Sequence, residues 1–136
     1  MQKGLSILAK SAWEVRENAS ILGDTKVGAA LLSKSGKIYT GCNIEQLYRN
    51  KDIHAEVSAI NNMVSNGEIK FLSIVIVAKR EKFTPCGTCM DWIFQFGGPN
   101  TVVAYQNEID GEIHEFTAKE LMPHYPFWPN IILGKQ

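Results

Sequence analysis

His54, Glu56, Cys86 and Cys89 are the residues of this chain whose types and spacing could do chemistry. An imidazole and two thiolates are donors that suit a divalent zinc ion. Three protein ligands leave a tetrahedral ion one open position for water, which distinguishes a hydrolytic metal centre from a structural one. Glu56 lies two residues beyond His54, so it cannot project along the same spoke of a helix. It can still lean over the open position, where a carboxylate accepts and returns protons. Two other readings of the C-x-x-C remain open. One is a closed four-ligand zinc knot, for which Cys42, on a predicted strand, is the only further cysteine; the other is a redox pair, which makes no use of His54 and Glu56.

These residues need elements to hold them. Leu5, Leu8, Ala9, Ala12, Trp13 and Arg16 recur at three- and four-residue steps, which predicts a first amphipathic helix from Met1 to about Leu22, closed by Gly23. Val27 to Ser33 and Lys37 to Ile44, joined at Lys34-Ser35-Gly36, form a β-hairpin. A helix starts at His54 and runs to Ser65 with Ala55, Ala59, Ile60, Met63 and Val64 on its apolar stripe. Phe71 to Lys79 is a strand buried on both faces. Pro85 opens a helix from about Cys86 to Phe96, stopped at Gly97-Gly98-Pro99, and Thr101 to Tyr105 is a further strand. Glu112 to Phe116 either extends the sheet or forms a surface arm, and Thr117 to Met122 forms a last helical turn. Both donor groups therefore fall at helix N-termini, where free N–H groups and the helix dipole favour thiolate over thiol.

Composition narrows the class. The chain has 136 residues, 45% of them hydrophobic, which predicts one domain spanning 1–136 with its own core. Lys plus Arg and Asp plus Glu each number 14, and no basic stretch offers a surface to track phosphates, which argues against a nucleic-acid partner. The apolar patch Leu5 to Ala9 is cut by Lys10 too soon for a signal or a membrane span. With an odd number of cysteines, two of them in a C-x-x-C, the reading is a cytoplasmic protein in a reducing compartment.

Four blocks occur in order: Val27-Gly28-Ala29-Ala30-Leu31, Thr40-Gly41-Cys42-Asn43-Ile44-Glu45, His54-Ala55-Glu56 and Pro85-Cys86-Gly87-Thr88-Cys89. With them the chain resembles the small, single-domain cytidine deaminases over nearly its whole length, and H-x-E…P-C-x-x-C is the pattern of zinc deaminases. The resemblance implies an α/β fold, a three-layer α/β/α sandwich around a mixed five-stranded sheet. It implies zinc (Zn2+) as cofactor and hydrolysis of a small nucleoside, cytidine or deoxycytidine, to uridine or deoxyuridine with release of ammonia. Asn43 and Glu45 would hold the ribose hydroxyls, although by spacing alone they are polar residues at a strand end. Ala55, Thr84 and Pro85 would also bind the substrate. A homo-oligomer, dimer or tetramer, is implied as well, with neighbouring subunits completing the sites.

The chain also departs from the family pattern. Many short members have Cys-Ala-Glu-Arg where this one has His54-Ala55-Glu56-Val57. Three thiolates on zinc leave a negative charge for an arginine to offset, whereas one neutral imidazole and two thiolates sum to zero, so the two replacements belong together. Thr25 stands where a Phe is common, and Gln46-Leu47-Tyr48 and Met90-Asp91 replace other familiar stretches, which opens the identity of the base. Tyr48, Phe127 and the rest of the tail His124-Tyr125-Pro126-Phe127-Trp128 could supply stacking; such aromatics equally serve as core or subunit contacts. A modified cytosine nucleoside, a blasticidin-like antibiotic or another aminated heterocycle is therefore an alternative substrate, and a non-catalytic zinc-stabilised binding domain is the reading from another class. Cys42, His114, His124, Trp13 and Trp92 read as packing or surface residues.

Overall fold

The computed structural model describes residues 3–126. The hairpin is β1 (Gly28–Ser33) and β2 (Ile38–Cys42), antiparallel, with Ala29 opposite Gly41 and its turn closed by Gly36 at φ 95°. β3 (Phe71–Val77) pairs antiparallel with β1 and parallel with β4 (Val102–Gln106). β5 (His114–Thr117) adds antiparallel to β4, so the segment after Glu112 extends the sheet. The spatial order β2-β1-β3-β4-β5 puts β3 in the middle of a mixed five-stranded sheet. Its alternation divides the core. Val75 and Val77 face one layer and Ile74 and Ile76 the other. The strand is thus buried on both faces as its composition predicts, apart from Leu72, and it stops before Lys79.

α1 (Lys3–Arg16) lays Leu5, Leu8, Ala9, Ala12 and Trp13 across Ala30, Val75, Val77 and Ala104. On the opposite face α2 (Ala55–Ser65), α3 (Gly87–Phe96) and the short α4 (Ala118–Leu121) form the other layer, with Ile60, Met63, Phe71, Ile93 and Phe94 wholly or almost wholly buried between them. α4 is fixed by a capping box between Thr117 and Glu120. The architecture is the three-layer α/β/α sandwich that the resemblance implies.

Two of the boundaries that differ from the sequence expectation have a cause in backbone pairing. α1 ends at Arg16 and not near Leu22, because the following segment has a better use for its backbone groups. Ser20 N donates to Asn43 O at 3.1 Å and Glu45 N donates to Ser20 O at 2.7 Å, a bridge to the segment leaving β2 that a continued helix would break. β2 likewise stops at Cys42 instead of Ile44, since Ile44 exchanges backbone bonds with Ile53 (2.8 and 2.9 Å) and the chain turns toward α2.

Two glycines let the helices reach the hairpin. A Cβ on Gly28 would strike the Ala12 carbonyl in α1, and one on Gly41 would fall 2.6 Å from the Ser58 carbonyl carbon in α2. Gly41→Ala therefore forces α2, which begins at the His54–Glu56 motif, away from β2. The expected outcome is a loss of about 1–3 kcal/mol in denaturant unfolding, the usual cost of overpacking.

Candidate metal centre and active site

His54 and Cys86 occupy equivalent places. Each is the residue before the first turn of a helix, in extended conformation (φ −78°, ψ 155° and φ −71°, ψ 172°), and each carbonyl accepts the first helical bond, from Ser58 N and Met90 N at 2.9 Å. Neither side chain caps its own helix, so both are free for a shared partner. Cys89, one turn into α3, points the same way and is fully buried.

The three donors converge. His54 Nδ1 lies 3.2 Å from Cys89 Sγ and 3.4 Å from Cys86 Sγ, and all three ligand atoms fall within 4.8 Å of one another. A tetrahedral zinc with ordinary Zn–N and Zn–S bonds spans its N and S ligands by about 3.5 Å, so the donor set fits the ion in both chemistry and separation. Electrostatics agree. Burial pushes the Cys89 thiol well above its ordinary range, with Glu56 and Cys86 adding to the rise. A cation among the donors reverses that balance, as metal coordination does for thiols generally. Cys42, partly exposed on β2, is not in the cluster, so the described residues provide three ligands and leave a fourth position open.

Glu56 stands in the first turn of α2, only 4% exposed, next to the donors. Burial raises its carboxyl above the usual range; its own backbone N–H, His54 and the Cys89 thiol pull the other way without cancelling that rise. A buried acid beside three metal donors, opening on a cavity of about 530 Å³, is the arrangement expected of a proton carrier.

The cavity gathers most of the residues singled out from the sequence: Asn43, Glu45, His54, Ala55, Glu56, Thr84 and Cys86 line it, as does Thr25. Asn43 also braces the wall, accepting from Val27 N at 2.9 Å and donating to Thr25 O at 3.0 Å. Other candidates sit elsewhere. Pro85 is not among the lining residues although both its neighbours are. Tyr48 is 69% exposed with the Lys51 ammonium over its ring, also off the cavity wall. Tyr125 stacks on Phe94 at 3.9 Å and donates to Asp91 at 2.7 Å, which holds it against α3. Phe127 and Trp128 lie outside the described residues.

Sequence reasoning passed over Arg49, Asp52, Arg80 and Phe83, all of which line the cavity. Arg80 donates to the Thr25 hydroxyl from both Nε and Nη2 and pairs with Asp24 at 3.3 Å, so a guanidinium stands beside the threonine. Phe83 had one signal, as the aromatic nearest the Pro85-Cys86 turn; the charged three had none beyond their loop positions.

Comparison with known proteins is specific. Residues 3–106 match the family model described as the cytidine and deoxycytidylate deaminase zinc-binding region. A cytidine deaminase of Sporosarcina psychrophila is 39% identical over 98 residues, covering 71% of each chain. A blasticidin-S deaminase of Bacillus cereus is 32% identical over 106 residues, covering 71% of this chain and 74% of that one. The crystal structure of cytidine deaminase from Burkholderia pseudomallei superposes with a TM-score of 0.81 at 28% identity, covering 91% of this chain and 98% of the other.

Zinc analysis of the protein should give one ion per chain. Replacing any one of the three donors, for example Cys89→Ser, should weaken zinc affinity by at least roughly a hundredfold in a competitive chelator titration, more than loss of a supporting outer contact costs.

Proposed function

This chain belongs to the cytidine and deoxycytidylate deaminase zinc-binding family, and we propose that it hydrolyses the amine of cytidine and deoxycytidine, giving uridine or deoxyuridine and ammonia. The observation that carries the reading is the convergence of a three-donor cluster and a buried carboxyl on one nucleoside-sized cavity. His54, Cys86 and Cys89 would hold zinc. Bound zinc supplies Lewis acidity, which brings the pKa of the attacking water toward neutrality.

Glu56 carries the protons. Its carboxylate takes one from water as the oxygen adds to the amine-bearing carbon and delivers it to the adjacent ring nitrogen. It then takes the hydroxyl proton of the adduct and gives it to the amine, which departs as ammonia and leaves a carbonyl. Glu56 ends as the carboxylate it began as, so one residue serves both halves. Ala55 and Thr84 would contact the base, and Asn43 and Glu45 the sugar. Neutral imidazole and two thiolates balance a divalent ion, so Val57 in place of an arginine suits the centre.

A second substrate reading has its own support. Thr25 and Arg80 give one wall of the cavity a polar, charged character, and a blasticidin-S deaminase is among the relatives, so a larger aminated pyrimidine nucleoside is the alternative substrate. We further propose a homo-oligomer, dimer or tetramer, for which the exposed Leu47 and Tyr48 on the loop bordering the cavity provide apolar contact surface. A reducing, cytoplasmic setting suits thiolate ligands; among the described residues no helix is long and apolar enough to cross a membrane.

Ammonia release from zinc-loaded protein should be fastest with cytidine or deoxycytidine in a panel that includes blasticidin S, and faster turnover of the antibiotic would favour the second reading. Glu56→Gln should retain zinc while losing roughly 10²–10⁴-fold in kcat, the span of acid–base contributions. Unchanged turnover in that variant would exclude Glu56 as the proton carrier.

A further inference from the structure

The loop between β2 and α2 is closed by a ring of charged contacts that the deamination steps do not use. Glu45 is the first member. Its side chain is only 11% exposed, and its two oxygens are separately engaged: Oε1 accepts from Leu22 N at 2.6 Å and Gly23 N at 2.7 Å, and Oε2 pairs with Arg49 Nη2 at 3.2 Å. Arg49 then donates from Nε to Asp52 Oδ2 at 3.0 Å, and Asp52 Oδ1 accepts from Gln46 N at 2.8 Å, next to the starting residue. The ring thus runs from 45 through 49 and 52 to 46, and Glu45, Arg49 and Asp52 all line the cavity.

Each contact has a distinct effect. The two amides fix Oε1 and hold Glu45 below the usual carboxylate range, with Arg49 adding to the effect. Amides alone would leave Oε2 free to swing about Oε1. Arg49 removes that freedom, and it can do so only because Asp52 holds the other edge of its guanidinium; a planar fork engaged at two points orients far better than a lone ammonium. An ionised carboxylate has no proton to give, so any group that meets its remaining lone pair must donate.

We infer that Arg49, braced by Asp52, is a positioning residue that sets Glu45 as an acceptor-only reader of the substrate sugar, selecting a free hydroxyl and refusing an esterified one. A hydroxyl donates to Oε2 and fits. An oxygen carrying a phosphate has no proton to donate to that lone pair. This inference rests on the nucleoside reading above.

The test compares kcat/KM of the zinc-loaded protein for cytidine and 2′,3′-dideoxycytidine, which lacks the hydroxyls, and for cytidine 3′-phosphate. The unaltered protein should prefer cytidine to the dideoxy compound by roughly tenfold or more, as expected for a hydrogen bond to a charged group, and should refuse the phosphate. Arg49→Met should shrink the cytidine preference by roughly tenfold, chiefly through KM, and Arg49→Lys should restore part of it. Asp52→Asn, which keeps the loop's shape, should shrink it by a smaller factor and serves if Arg49→Met does not fold. Equal losses on both nucleosides, leaving the preference unchanged, would show that Arg49 only shapes the loop and would overturn the inference. So would an unaltered protein that turns over the dideoxy compound as well as cytidine, with the functional reading intact. No turnover of any nucleoside would defeat the functional reading itself and this inference with it.

Discussion

Two helices begin at the same point in space, and each leaves unused the side-chain cap that would have served its own first turn. A Ser or Asp at either position would stabilise its helix by about 1 kcal/mol. His54 and Cys86 occupy those positions instead and make no such bond. The sandwich makes the meeting possible. α2 follows the loop out of β2, α3 follows the loop out of β3, and both pack against the same face of the sheet. Once their starts coincide, Cys89 is delivered by one turn of α3 and Glu56 by the first turn of α2. The metal centre is therefore a property of two helix origins more than of any single loop.

That dependence explains which parts were legible in the sequence. The starts of α2 and α3 follow from local signals, namely a proline before Cys86 and an apolar stripe beginning at Ala55, and the donors come with them. The central strand was equally plain from its run of Ile and Val. The end of α1 was not legible. Gly23 offered a local stop, but the actual stop is set by Ser20 pairing with Asn43 and Glu45, more than twenty residues away. Local periodicity carries no information about such a bridge.

The cavity wall was legible in part for a related reason. Asn43, Glu45 and Ala55 belong to blocks whose order carries meaning, Thr84 directly precedes one, and all four line the cavity. Arg49, Asp52 and Arg80 stand in loops where charged residues are ordinary, and their roles depend on partners that only the folded chain brings near. Tyr48 shows the converse. An aromatic in a promising place by sequence turns its ring outward beneath Lys51, because the loop is fixed by its charged ring of contacts and not by burial of the tyrosine.

The tight approach at Gly28 and Gly41 bears on how the molecule can move. Gly41 sits opposite Ala29, and Gly28 is the next residue along the same strand, with α1 pressed against one side and α2 against the other. The sandwich has a narrow waist there, beside the origin of α2. Packing this dense deforms little, so breathing of the layers is a poor route for admitting a ligand. The opening is lined instead by Thr25 and by residues 43–45, 52–56 and 80–84, and the waist holds the donors in register beneath them.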